Sequence, residues 1–230
     1  MKEILKQLLN KYNINCTDTQ LEKLCELYKI VVDYNQRINL TSITDEHDFA
    51  LLHILDSVIC IENFKNVKNI VDIGTGAGFP AFPLAILLPD VKFTLIDSIN
   101  KKTNFHKIVI KELGLNNVVS INSRIEDFAK QNFEGFEMVT ARAVAKLPTL
   151  LEYALPLLKL NGTFLAYKTE QYEQELEESK SALNILGGEI NRVLTYEFEE
   201  VKRCLILVNK TKNTPKKYPR EQNKPRLKPL

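Results

Sequence analysis

The chain has 230 residues, 44% of them hydrophobic and 26% charged, and its 31 Lys+Arg against 29 Asp+Glu give a formal net charge of +2. A chain of that length and balance has material for one sizeable core, which excludes a collagenous, mucin-like or wholly disordered protein. Cys16, Cys25, Cys60 and Cys204 stand far apart, with no C-x-x-C pair and no histidine at ligand spacing. That pattern indicates neither a zinc site nor a disulfide framework, and it suits a reducing compartment.

Residues 1–62 read as a helical cap. Ile4, Leu5, Leu8 and Leu9 mark a first helix, and Leu21, Leu24, Cys25, Tyr28, Val31 and Val32 recur at helical spacing in a second, with Thr17 or Asp18 as N-cap and an end near Arg37. Asn39-Leu40-Thr41-Ser42 offers side-chain oxygens for a turn, and a third helix from about Asp45 places Leu51, Leu52, Leu55 and Ile59 on one face. From residue 68 the pattern becomes short β-branched runs alternating with helical stretches. Strands are expected at Asn69–Ile73, Lys92–Ile96, Val118–Ile121, Phe136–Thr140 and Thr163–Tyr167. Helices are expected from Pro80, across Lys101–Leu113, at Ile125–Ala129 and Leu147–Leu158, and from about Gln171 to Leu186. Ile190–Tyr196 and Arg203–Val208 read as a terminal hairpin-like pair. This interleaving implies right-handed βαβ crossovers and an α/β fold with a mostly parallel, doubly wound sheet over residues 63–209. The longest mostly apolar stretch, Phe79–Pro89, carries three prolines, too short and broken to span a bilayer, and Met1-Lys2-Glu3 opens no signal peptide. A cytoplasmic protein with no membrane partner is expected.

The small net charge conceals two opposed parts. Residues 210–230 hold eight bases and one acid, a net +7, which leaves −5 for the other 209 residues. Four of the nine prolines (Pro215, Pro219, Pro225, Pro229) fall in the same segment, and after Val208 apolar residues are scarce. Such a tail is expected to be mobile or extended. A solubilising terminus and an arm for a phosphate backbone are equally served by it.

The strongest local signal is Val71-Asp72-Ile73-Gly74-Thr75-Gly76-Ala77-Gly78-Phe79-Pro80. A strand feeds a glycine-rich turn that opens a helix, so backbone amides can approach a ligand at the carboxyl end of the first strand. Glycines at the first, third and fifth places, with Phe79 at the sixth, depart from the dinucleotide fingerprint G-x-G-x-x-G, and no Gly-Lys-Ser/Thr follows for a P-loop. An acid just ahead of G-x-G-x-G, here Asp72 with Ile73 between it and Gly74, resembles the first motif of Rossmann-like S-adenosylmethionine methyltransferases. Asp97, in Leu95-Ile96-Asp97-Ser98, ends the second strand 19 residues past the turn, where a carboxylate suits a ribose diol. An N-cap for the next helix is its other reading, and both apply to Ser98 as well. Ser123-Arg124-Ile125-Glu126-Asp127 follows the third strand, either edging an adenine through Ile125 and Glu126 or simply starting a helix with acids in its first turn. Arg142 ends the fourth strand, placed to anchor a phosphate or a guanine edge, with a surface ion pair as the plain alternative.

Further motifs occur in order: Asn39-Leu40-Thr41-Ser42, His53-Ile54-Leu55-Asp56-Ser57, the glycine turn, Leu95-Ile96-Asp97-Ser98, Ala141-Arg142-Ala143, Tyr218-Pro219-Arg220 and Lys228-Pro229-Leu230. Together they resemble, over nearly the whole chain, the small-subunit (16S) ribosomal RNA guanine N7-methyltransferases of family G, also called the glucose-inhibited division protein B family. The resemblance implies S-adenosyl-L-methionine as cofactor and methyl transfer to N7 of a guanine, guanine 527 in the family, with 16S rRNA or a small ribosomal subunit particle as partner and a monomeric enzyme. By position it implies cofactor contacts from Gly74, Phe79, Asp97, Ser98, Ile125, Glu126 and Arg142, to which the reading of the turn adds Asp72, Gly76 and Gly78; no metal is expected, and the substrate side is expected to be lined by Arg142, Arg124, Lys168 and Arg220. Three departures stand out: Ala81-Phe82 after Phe79-Pro80, Thr169 after Tyr167-Lys168, and Glu221-Gln222-Asn223 in the tail.

Guanine N7 carries a lone pair and no proton, so the reaction asks for no general base, and positioning alone is expected to supply catalysis. His53 and Asp56, three apart on one helix, either order the mouth of the site or serve helix packing. Removal of the tail after Asn209 is expected to weaken RNA binding and spare cofactor binding. The competing functions are a small-molecule methyltransferase, which has no use for the tail, and an RNA-binding scaffold without activity, which has no use for Asp72, the three glycines and Asp97. A nicotinamide oxidoreductase comes third, disfavoured by Phe79.

Overall fold

The computed structural model describes residues 1–230 except Gln171, Glu200 and Gln222. The start of the helix expected from Gln171 and the middle of the Glu221–Asn223 departure therefore lie outside the described residues. Seven strands form one sheet in the order β3-β2-β1-β4-β5-β7-β6, where β1 is Asn69–Ile73, β2 Lys92–Asp97, β3 Val118–Asn122, β4 Phe136–Arg142, β5 Leu158–Lys168, β6 Gly188–Phe198 and β7 Val201–Lys210. The expected doubly wound α/β arrangement is present, and β7 enters antiparallel between β5 and β6. The chain groups into two compact units that cut across the linear division at residue 62: Met1–Lys68 with Thr75–Asn122, and Asn69–Gly74 with Ser123–Leu230. No helix among the described residues is long and apolar enough to cross a membrane.

In the first unit, helices α1 (Lys2–Lys11) and α2 (Asp18–Asn35) pack together, and α2 opens on a complete capping box: Thr17 Oγ1 accepts from the Gln20 amide while Gln20 Oε1 accepts from the Thr17 amide. Gln20 Nε2 also donates to the carbonyls of Ile86 and Leu87, which end α5 (Ala81–Leu87). Asp45 caps α3 (Glu46–Phe49), and the helix then loosens into π-helical turns over Ala50–Leu55 before α4 (Asp56–Val58). β2 and β3 run parallel, with Asp97 opposite Asn122, and α6 (Asn100–Leu113) covers them with Phe105, His106, Val109 and Leu113 buried.

In the second unit β1, β4 and β5 are parallel neighbours, and Ile70–Ile73, Met138–Ala141 and Phe164–Tyr167 are buried at successive positions, as burial on both faces requires. α7 (Ile125–Gln131) and α8 (Leu147–Ala154) pack together, as do α8 and α10 (Lys180–Leu186). The helix expected over Leu147–Leu158 stops at Ala154, because Pro156 tightens the chain into a 3-10 turn and Leu158 already pairs with Phe136 of β4. The helix expected up to Leu186 is two pieces, α9 (Tyr172–Glu178) and α10, broken at Ser179, whose hydroxyl donates to the Glu175 carbonyl.

The expectation of a mobile tail is corrected by its packing. Lys210 is fully buried, its ammonium donating to the carbonyls of Leu155 and Leu158 and facing Glu134. Thr214 and Tyr218 are buried, the Thr214 hydroxyl donates to the Leu186 carbonyl, and residues 224–227 form a short helix, α11 (Lys224–Leu227), against α8. A few well-placed side chains and backbone bonds do what a run of apolar residues would otherwise do.

Candidate functional site

Within the first unit the glycine turn is built around one carboxylate. Gly76 and Gly78 have φ of +62° and +93°, a region open to glycine at little cost. A Cβ on Gly78 would sit 2.0 Å from Phe82 Cδ2, so the fully buried Phe82 ring, one of the sequence departures, occupies the space beside that glycine. Asp97, at the end of β2, accepts from the Gly76 amide through Oδ2 (3.0 Å) and from the Ile99 amide through Oδ1 (2.9 Å). The N-cap reading of Asp97 is corrected, since α6 takes Ile99 as its N-cap with no side-chain cap; Asp97 instead holds the amide just ahead of the helix and ties the glycine turn to the strand end. Each oxygen keeps a second lone pair for a ribose hydroxyl. Ser98 beside it is exposed.

His106, which sequence reasoning passed over, completes this half. Its Nε2 lies 2.7 Å from the Gly76 carbonyl and its Nδ1 2.9 Å from Ser120 Oγ. A carbonyl only accepts, so Nε2 carries the proton and Nδ1 accepts from the serine. Burial lowers the imidazole pKa below its usual 6.5, against an opposing pull from the Gly76 carbonyl and Asp97. The signal in the sequence was a histidine on the apolar face of the helix after the second strand.

The two N-terminal motifs converge on Phe79. Asn35 Oδ1 accepts from the amides of Leu40 and Thr41 while its Nδ2 donates to the Thr41 carbonyl, and Thr41 Oγ1, held by the Ile43 amide, lies 2.7 Å from His53 Nε2. The His53 ring stacks on Phe79 with centroids 4.5 Å apart and planes 7° from parallel, and Phe49 meets both rings edge-on. His53 sits in the π-helical turns, which suits such single-purpose placement. Asp56 and Ser57 are buried one turn on.

Within the second unit, buried Asp72 accepts from Thr140 Oγ1 (3.0 Å) across the β1–β4 pair, and Gly74 has φ +65°. A Cβ on Gly74 would meet Val144 Cγ2 at 2.7 Å. Ile125 is half-buried at the start of α7, and Glu126 is buried and faces Tyr153 of α8, whose phenol is pushed up to about 12 by burial first and by the Glu126 charge second. Arg124 is exposed just ahead of them, and Arg142 is half-buried as the last residue of β4.

Two of the expected substrate-side bases are engaged within the fold. Lys168 Nζ donates to the Ala145 carbonyl (2.8 Å) and pairs with Glu175 (2.6 Å), leaving its side chain 9% exposed. Arg220 holds fully buried Glu152 through Nε and Nη2, its backbone amide donates to the same carboxylate (2.8 Å), and a further Nη2 bond reaches the Lys228 carbonyl (2.8 Å). The cause in both cases is an acid that composition does not reveal, Glu175 seven residues on for Lys168 and Glu152 68 residues back for Arg220.

The residues present suit a nucleoside-bearing sulfonium cofactor. Gly74, Gly76 and Gly78 hold the turn at positive φ, Asp97 offers spare lone pairs at a strand end, and the buried Thr75 hydroxyl within the turn has no hydrogen-bond partner among the described residues. Among the described residues no cluster of three or more His, Cys, Asp or Glu is arranged to hold a metal.

Comparison with known proteins agrees with this chemistry. A family model described as rRNA small subunit methyltransferase G matches residues 20–205. The chain is 42% identical over 233 residues to the Ribosomal RNA small subunit methyltransferase G of Staphylococcus aureus strain Newman, covering 99% of this chain and 98% of that one. It is 45% identical over 234 residues to the protein of the same name from Desulfitobacterium hafniense strain Y51, covering 100% and 98%. Among solved structures, the O-methyltransferase from Bacillus cereus in complex with SAH matches with a TM-score of 0.63 at 15% identity, over 89% of this chain and 96% of that one. TYW2 of M. jannaschii in complex with AdoMet matches with a TM-score of 0.52 at 18% identity, over 67% and 81%. At those identities the structures bear on the fold alone.

Proposed function

The chain belongs to the rRNA small subunit methyltransferase G family and is an S-adenosylmethionine-dependent rRNA methyltransferase; from that premise we propose that it methylates N7 of a single guanine of 16S rRNA, guanine 527 in the family. The observation that carries the site assignment is the bond from the Gly76 amide to Asp97 Oδ2, which joins the glycine turn to the strand-end carboxylate. We further assign a cytoplasmic monomer that acts on the rRNA or on a small ribosomal subunit particle.

In this reading Asp97 and Ser98 take the ribose, the amides around Gly74, Gly76 and Gly78 and the Phe79 ring border the rest of the cofactor, and Asp72 braces the turn. Ile125 and Glu126 edge the adenine. When bound, S-adenosylmethionine supplies an electrophilic methyl on a sulfonium. Guanine N7 has an exposed lone pair and no proton, so no side chain of this chain has to accept one. The protein's work is to hold base and cofactor in line and exclude other approaches, with Arg142 at the end of β4 steering a phosphate or the guanine edge. His53, held by Thr41 and stacked on Phe79, keeps that ring in place. Loop bases of RNA are read by stacking and edge contacts. The nonspecific phosphate attraction is assigned to exposed Lys212, Lys216, Lys217, Lys224 and Lys228 with Arg124, and not to Lys168 or Arg220, whose charges are taken by Glu175 and Glu152.

The test is to incubate the protein with labelled cofactor and either 16S rRNA or small subunit particles, then map the modified base. One N7-methylguanine in the RNA is expected, and label in small metabolites with unmodified RNA overturns the reading. Replacing Lys216 and Lys217 together by alanine is expected to lower the salt slope of RNA binding by about 2.

A further inference from the structure

The turn after β4 is gripped from several places in the sequence. Ala143 has φ +58°, a conformation that a residue with a Cβ keeps where its surroundings hold it. Arg226 Nη2 donates to the Val144 carbonyl (3.0 Å), and Lys168 Nζ to the next carbonyl, that of Ala145 (2.8 Å). The Leu147 amide donates to the Glu175 carboxylate (2.5 Å), which also takes the Lys168 ammonium. Held in this way, Val144 lays its methyl groups against Gly74, so closely that no Cβ fits between them.

Arg226 is itself located by the fold of the tail. The buried Thr149 hydroxyl of α8 donates to the Pro225 carbonyl (3.0 Å), one residue before Arg226. Two residues after it, the Lys228 carbonyl is bound by Arg220, which is anchored on Glu152 of the same helix. The tail thus reaches the turn as a strap fixed on both sides of Arg226.

We propose that Arg226 is a positioning residue for methyl transfer: by holding the Val144 carbonyl it keeps the Val144 side chain on Gly74 and so fixes the first glycine of the cofactor turn. Lys168 supports the same turn from the adjacent carbonyl. The C-terminal segment then serves the cofactor as well as the RNA, against the expectation that cutting it away spares cofactor binding. This inference rests on the assignment of the glycine turn to S-adenosylmethionine.

The experiment is titration calorimetry of the full-length protein with S-adenosylhomocysteine for four variants, with steady-state kinetics, thermal midpoints and RNA affinity measured on the same preparations. Arg226→Ala is expected to raise the Kd about fivefold, the loss of one hydrogen bond, and to raise KM for S-adenosylmethionine with kcat little changed. Arg226→Lys, which keeps a donor of similar reach, is expected to recover most of the loss. Lys202→Ala removes the same charge from an exposed side chain of β7 outside the basic segment, so the Kd, the kinetics and the RNA affinity are expected to stay at the wild-type values. Gly74→Ala is expected to raise the Kd more than any of these. If Gly74→Ala weakens binding while Arg226→Ala matches Lys202→Ala in cofactor Kd and kinetics, the strap is overturned and the glycine assignment stands. If Gly74→Ala leaves the Kd unchanged, the assignment beneath it falls.

Discussion

The glycine turn at 74–78 and the basic segment at 210–230 are the two features that stand out in the sequence, and they differ in what makes them legible. The turn is specified locally: each of its glycines has positive φ, and its main partner is a carboxylate at the end of the next strand. The segment is specified by partners far away, with Arg220 on Glu152 and Arg226 on the Val144 carbonyl, 68 and 82 residues distant. A charge count sees +7 in both an extended arm and a folded strap. In the fold, Lys210 and Arg220 are internal counter-charges, and Lys212, Lys216, Lys217, Lys224 and Lys228 remain exposed for a polyanion. Net charge therefore marks a basic segment but does not say which of its bases stay exposed.

That contrast is tested most severely at Arg220. Replacing it by alanine leaves the Glu152 carboxylate buried without a cation, and breaking such a pair from one side costs about 3–5 kcal/mol. Lys217→Ala, an equal change in formal charge on an exposed side chain, is expected to cost under about 0.5 kcal/mol. Urea unfolding midpoints separate the two, and equal midpoints would return the segment to a solvated terminus. Replacing both members, as Arg220→Leu with Glu152→Leu, is expected to recover much of the loss, since the desolvated charge goes with its partner.

The turn has its own paired test, smaller in size. Gly78→Ala places a methyl group 2.0 Å from the ring of fully buried Phe82, with φ at +93°, and overpacking of that kind costs about 1–3 kcal/mol. It is also expected to weaken S-adenosylhomocysteine binding by at least about tenfold, a 1.4 kcal/mol effect. Gly114→Ala, at the C-cap of α6, meets nothing within 4 Å and bears only the left-handed strain, about 1 kcal/mol. Calorimetric titration of both variants checks this, and cofactor binding that is equally affected would mean that stability alone is being read.

Legibility follows the same division. The strands declared themselves because buried parallel strands must be apolar throughout, and Thr17, Asp45 and Gly187 marked helix ends by their own chemistry. β5 was longer than its apolar run, since Lys159, Leu160 and Asn161 are exposed where the β4–β5 register shifts between Phe136 and Met138. In the site, Asp97 and the glycines were readable from spacing. Lys168 looked like a substrate base for its place at a strand end, and Glu175, a partner on the next helix, decided otherwise. Val144 gave no signal at all: a valine after a strand becomes informative only when Gly74 is found beneath it.

The smallest expected effect lies in acid and bears on the turn alone. His106 is neutral in the fold with its pKa held below the usual 6.5, burial outweighing the Gly76 carbonyl and Asp97 that pull the other way. The unfolded chain, with an ordinary imidazole, takes up a proton first as pH falls. Stability from this group is therefore complete above about pH 6.5 and declines as pH drops from there towards the folded value, by no more than about 1.4 kcal/mol per pH unit. His106→Gln is expected to remove this part of the slope below about pH 6.5, measured by thermal midpoints in matched buffers against the wild type. A variant whose slope equals that of the wild type would show that the proton taken up belongs elsewhere. The imidazole would then be no harder to protonate in the fold than in water, its burial being offset by the Gly76 carbonyl and by Asp97, already bound to the Gly76 amide. The glycine turn would answer to a charge outside it in the way the tail does, and the contrast between the two regions would narrow.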